Sequence, residues 1–232
     1  MRIENLAFGL AFLSCAIDPA LADTPRNSYP AMAPLAQYQS ASAADEIALA
    51  RSAAPASISR DAEIMTLGAH GYDVAVKGKN GFVCLVERSW AKDLDDPEFW
   101  DTKMRAPQCL NAAAAHTVLP AYLERTEWVL AGVSQSDMTV RTRAELAAHK
   151  LVEPALGAMC YMMSKQQYLS NTGTHWHPHL MFYIAHADAA SWGADLPGSP
   201  VDSGQGKFDP FITYFVPIAK WSDGTSAVMV MH

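Results

Sequence analysis

The chain reads as an α+β fold on a mainly antiparallel sheet, with a central helical segment packed against it. Three observations predict this class. Apolar runs of strand length gather between residues 63 and 88 and again after residue 159. An alanine- and leucine-rich stretch of helical character lies between them. The regular strand–helix alternation that builds parallel sheets is missing.

Taken in order, residues 1–22 read as a signal peptide. Arg2 gives a weak positive start, Leu6 to Ile17 is apolar, and Ala20-Leu21-Ala22 is the small-x-small pattern of a cleavage site. The rival reading makes Cys15 the acylated cysteine of a lipoprotein. Residues 23–44, rich in Pro, Ala, Ser and Gln, read as a flexible leader. The folded domain is expected over residues 45–232. It begins with a short helix from Asp45 to Ala54 that Pro55 stops. Glu63 to Leu67, Tyr72 to Lys77 and Phe82 to Arg88 read as strands of a meander, with Gly78-Lys79-Asn80-Gly81 as a hairpin tip.

The middle reads as helical. Asp95-Asp96-Pro97 has the look of a helix start. Ala112 to Ala131 continues it, kinked or divided by Pro120. Ser134-Gln135-Ser136-Asp137 reads as a capped start for a helix running to about His149. Strands then return at Met159 to Ser164, Leu180 to Ala185, Phe211 to Ile218 and Ala227 to Met231. The loop from about Ala187 to Asp209 is long enough to be a functional lid.

The net charge of −7 becomes −6 once residues 1–22 are removed. An acidic balance with no Lys/Arg stripe argues against nucleic acid and anionic membrane surfaces as partners. No later segment has the roughly 18 uninterrupted apolar residues of a transmembrane helix. A periplasmic or secreted location follows from the signal peptide. In that compartment Cys84, Cys109 and Cys160 predict one disulfide and one leftover thiol. Cys84–Cys109 is the first choice, tying a strand to the helical region after it, and Cys84–Cys160 is the alternative.

Chemistry is expected first at His175-Trp176-His177-Pro178-His179, where three of the eight histidines stand at the mouth of an apolar strand. Imidazole is both a metal ligand and a proton shuttle near neutral pH. In an extended strand His175 and His177 share a face about 7 Å apart, so they can chelate one ion, while His179 lies about 13 Å from His175. His186 and Asp188 are the expected further ligands, with Asp195 and His70 as other candidates. His179 and His70 are the expected acid–base groups. Zinc is the first cofactor, its bound water a nucleophile for hydrolysis. Copper is the second, because Met181, Met162 and Met163 offer soft sulfur nearby.

The competing reading is a non-catalytic secreted or envelope-associated module. Its histidines would be structural, and Trp176, Trp192 and Trp221 with the long loop would line a small-molecule or envelope-derived ligand. Ser164-Lys165 and Lys220-Trp221-Ser222-Asp223-Gly224-Thr225 faintly resemble parts of serine acyl-enzyme sites. They lack a nucleophile motif, and the second reads as a turn.

Overall fold

The computed structural model describes residues 29–171, 177–185, 189–207 and 209–227. Its strands are β1 (Glu63–Leu67), β2 (Tyr72–Val76), β3 (Val83–Glu87), β4 (Ala106–Leu110), β5 (Met159–Met162), β6 (His179–Ala185), β7 (Asp202–Gly204) and β8 (Phe211–Pro217). They form one sheet in the order β2-β1-β3-β4-β5-β6-β8-β7. β1 and β3 run parallel and every other neighbouring pair is antiparallel. The fold is therefore α+β with a mostly antiparallel sheet. Helices α1 (Ala43–Arg51) and α2 (Ala56–Ser59) precede the sheet, and α3 (Ala112–Thr117), α4 (Leu119–Leu130) and α5 (Gln135–Ala147) fall between β4 and β5.

Alternation along the central strands sorts side chains onto two faces. Cys84, Val86 and Cys109 face α1, where Ala50, Ala53 and Ala54 let the helix approach closely. Leu85, Leu110, Cys160 and Met162 face the other way, into the larger core with Leu119, Tyr122, Val129 and Met138 of α4 and α5. α5 is capped at Ser134 as its sequence predicts, and α1, which starts at Ala43 ahead of the expected Asp45, is capped in the same way by Ser42. The Ser42 hydroxyl accepts from the Asp45 N–H, and the Ser134 hydroxyl from the Asp137 N–H, at 3.1 Å each. The division expected at Pro120 falls at Val118, between α3 and α4, so that Pro120 takes a first-turn position.

The structure corrects four expectations. β2 and β3 do not form a hairpin: β3 crosses behind β1 and pairs with its far side. The reason is burial. β3 is apolar on both faces and suits the sheet interior, whereas Asp73, Val74 and Ala75 of β2 are exposed and suit an edge. Asn80 makes the crossover, donating to the Ile58 carbonyl at 2.8 Å and accepting from the Phe82 N–H at 3.1 Å. Asp95-Asp96-Pro97 starts no helix. Glu98 accepts from the Ser170 hydroxyl at 2.8 Å and the Asn171 N–H at 2.9 Å, and the Asn171 side-chain amide donates to Asp101 at 2.6 Å. These long-range bonds hold the segment in successive turns.

β4 was not expected, because Ala-Pro-Gln-Cys-Leu lacks a strand pattern and Pro107 argues against a central position. The described part of the expected leader is also anchored. Tyr38 is 0% exposed, with its hydroxyl donating to the Trp100 carbonyl at 3.0 Å. Residues 1–22 and most of the last expected strand, residues 228–231, lie outside the described residues.

A buried ion pair fastens α1 to the end of β3. Arg88, 0% exposed, donates from Nη2 to both Glu46 carboxylate oxygens at 2.8 and 2.9 Å and from Nε to the Tyr38 carbonyl at 2.6 Å. Beside it, Cys84 and Cys109 stand opposite each other in the β3–β4 register and are joined by a disulfide. The bridge links two adjacent strands, not a strand to a helix. Cys160 is the free, buried thiol.

Candidate functional site

The histidine cluster is only partly described: His175, His186 and Asp188 lie outside the described residues. His177 precedes β6, and its carbonyl oxygen accepts a hydrogen bond from His179 Nδ1 at 2.9 Å. That bond places the ring proton on Nδ1. His179 is 4% exposed, and burial pushes its pKa below the usual imidazole value against the opposing pull of that carbonyl. It is a neutral, oriented residue packed on the Phe215 ring at 5.9 Å. His70 sits in the exposed β1–β2 turn. Four strand steps separate β1 from β6, about 19 Å, so His70 and His179 do not share a site.

The soft ligands weighed for copper fare differently. Register sets Met162 opposite His179 and Cys160 opposite Met181, all on one face. Burial pushes the Cys160 thiol up to about 12, and it accepts from the Tyr183 hydroxyl at 3.3 Å. Asp195 instead accepts from the Ser203 N–H at 2.9 Å and shapes the entry to β7. Among the described residues no three His, Cys, Asp or Glu side chains gather as a metal-holding group. The long loop divides between the two faces: Asp209 at its end lines the cavity on the His179 side, and Trp192 lies on the other side. Its Trp192 stacks on Tyr214 at 4.4 Å, and Tyr214 alternates with the cavity-facing Thr213 and Phe215. Ser222-Asp223-Gly224-Thr225 is the expected turn, closed by the Trp221 N–H donating to the Thr225 carbonyl at 2.9 Å.

The feature that sequence reasoning missed is a cavity of about 270 Å³ between the sheet and the helices. Its floor comes from four strands: Glu87 of β3, Gln108 of β4, Met181 and Tyr183 of β6, and Phe211, Thr213 and Phe215 of β8. Tyr122 and Arg125 of α4 form a wall, and the rim holds Pro120, Ala121, Glu124, Lys150 and Val152. Glu87 lies on the same side of β3 as core Leu85. Gln108, directly opposite Leu85 in the register, brings its amide diagonally beside the Glu87 carboxyl.

Burial pushes the Glu87 carboxyl up to about 8, although the Gln108 amide and the Arg125 guanidinium both favour its charged form. Glu87 is half-buried and lines the cavity. Burial also raises Asp209, with Arg125 opposing and Asp93 adding to the rise. Gln108 is 2% exposed, and its Oε1 accepts no hydrogen bond among the described residues. Arg125 is held by the Trp90 and Lys92 carbonyls, which accept from Nη1 at 3.3 and 3.2 Å. The signal that could have found this site is a lone Glu closing an apolar strand and a lone Gln between Pro107 and Cys109.

No protein-family model, curated protein or solved structure matches this chain. No helix among the described residues is long and apolar enough to cross a membrane.

Proposed function

We propose that this protein is an exported small-molecule-binding domain whose ligand enters the cavity between the sheet and α3–α5. The observation that carries the reading is Glu87: an ionisable group on the floor of a largely apolar cavity, its pKa raised to about 8, beside a buried amide oxygen with no partner among the described residues. A carboxyl and an amide left in such surroundings cost stability unless a ligand uses them, and perturbed groups of this kind gather at functional sites. The volume suits a compact molecule. His179, tied to the His177 carbonyl, serves the packing of β6 against β8 in this reading. The Cys84–Cys109 bridge supports an oxidising compartment.

The test is a mixed fragment library screened by two-dimensional amide NMR against the wild type and Ala121→Trp. Ala121 is an exposed rim residue on α4, so the substitution narrows the cavity mouth without touching the core. Fragments that shift Thr213, Met181 and Val152 resonances in the wild type and lose that effect in the variant support the reading. A library with no fragment at these residues overturns it.

A further inference from the structure

We infer that the cavity takes a small primary amine with an apolar body, its ammonium group held by the Glu87 carboxylate and Gln108 Oε1. The inference rests on the binding reading above and adds the ligand's chemistry. Its first ground is charge. The cavity floor and wall carry two carboxyls, Glu87 and Asp209, against one guanidinium, Arg125, which is already engaged with two backbone carbonyls. At the rim, exposed Glu124 and Lys150 offset each other. A cation brings the interior to neutrality, and a ligand carboxylate would add to the excess.

The second ground is hydrogen bonding. Gln108 Oε1 is a buried acceptor without a donor among the described residues, and Glu87 when ionised is acceptor-only. Their natural complement is a group that only donates, and a primary ammonium has three N–H bonds and no lone pair. The third ground is the surround. Tyr122, Tyr183, Phe211 and Phe215 line the cavity, and aromatic faces attract cations while accommodating an apolar body.

In the empty cavity a proton on Glu87 does the work of the missing cation. Gln108 of β4 hydrogen-bonds to Glu87, its field is shared with Arg125 and Tyr122 of α4, Tyr183 of β6, Cys160 of β5 and Tyr72 of β2, and Asp209, Glu124 and Lys150 line the same cavity. Binding exchanges one positive charge for another. The Glu87 O–H bond breaks, its proton leaves to solvent, and the ammonium of the ligand takes its place against the carboxylate.

The experiment is titration calorimetry of the full chain with phenethylamine, hexylamine, hexanol and hexanoate, in buffers of different ionisation enthalpy. With Glu87 titrating at about 8, about 0.9 proton leaves per amine bound at pH 7, and amine affinity rises roughly fiftyfold between pH 6 and pH 8. Glu87→Gln, checked for a native amide spectrum, weakens the amines at least tenfold. Proton release is read on the wild type, so the inference stays testable if that variant unfolds. Amines that bind with no proton release, or hexanoate or hexanol binding better than the amines at the same residues, overturns the amine assignment and leaves the cavity as a ligand site. No binding by any of these probes or by the fragment library removes both.

Discussion

Replacing Glu87 with Gln should stabilise this protein, and by an amount that grows with pH. The folded-state carboxyl titrates at about 8 against an ordinary value of 4.5. The folded state therefore holds a proton that the unfolded chain has released anywhere between those values, and stability falls as pH rises through the window. Each unit corresponds to about 1.4 kcal/mol, which sets a ceiling of about 5 kcal/mol for the whole window. Water in the cavity screens the carboxylate, and about 2–3 kcal/mol is the working expectation. Glutamine keeps the shape and carries no charge, so its stability lacks this component. Urea unfolding at half-unit steps from pH 4.5 to 9 measures the difference between variant and wild type. Other titrating groups act on both chains and cancel. The expected curve is flat near pH 4.5, climbs through neutrality and levels off above pH 8. A difference independent of pH, or a variant that loses stability relative to wild type as pH rises, refutes the account of Glu87.

Other consequences follow from neighbouring elements. Glu46→Ala strands the Arg88 guanidinium without its carboxylate and should cost about 3–5 kcal/mol in chemical denaturation; a loss under 1 kcal/mol contradicts a buried pair. Reducing the Cys84–Cys109 bridge, which closes a 25-residue separation, should cost about 3 kcal/mol. Paired melts with and without reductant test this, and unchanged midpoints count against it. His179 has a folded pKa below 6.5, so its contribution is present above that value and lost as pH falls beneath it. His179→Gln should show a smaller drop in urea midpoint between pH 7 and pH 5 than the wild type, and equal drops would sink the claim.

The parts of the fold legible in the sequence are those where local pattern and final environment agree. β1 and β3 are apolar runs that end largely buried, β6 and β8 are apolar runs that end half-buried in the sheet, and α5 announces itself through Ser134 and Asp137. β4 escaped because its place is fixed by neighbours. Pro107 forfeits a backbone donor, and pairing with β3 and β5, together with the disulfide, makes Ala-Pro-Gln-Cys-Leu a strand. The segment around Pro97 misled because its carboxylates bond to Ser170 and Asn171, more than seventy residues away. The histidines drew attention through their closeness in sequence. The cavity is assembled from Glu87, Gln108, Arg125, Tyr183 and Asp209, residues spread over more than a hundred positions. No spacing rule joins them, and burial, which gives them their chemistry, is a property of the finished fold.

The bridge between β3 and β4 also guards the register that builds the cavity floor. Glu87 and Gln108 share the cavity side only while Cys84 faces Cys109. Sliding β4 by a single residue would turn Gln108 toward α1 and present Pro107 or Cys109 in its stead. The bond fastens the one pairing of β3 and β4 in which a carboxyl and an amide stand side by side on the cavity floor.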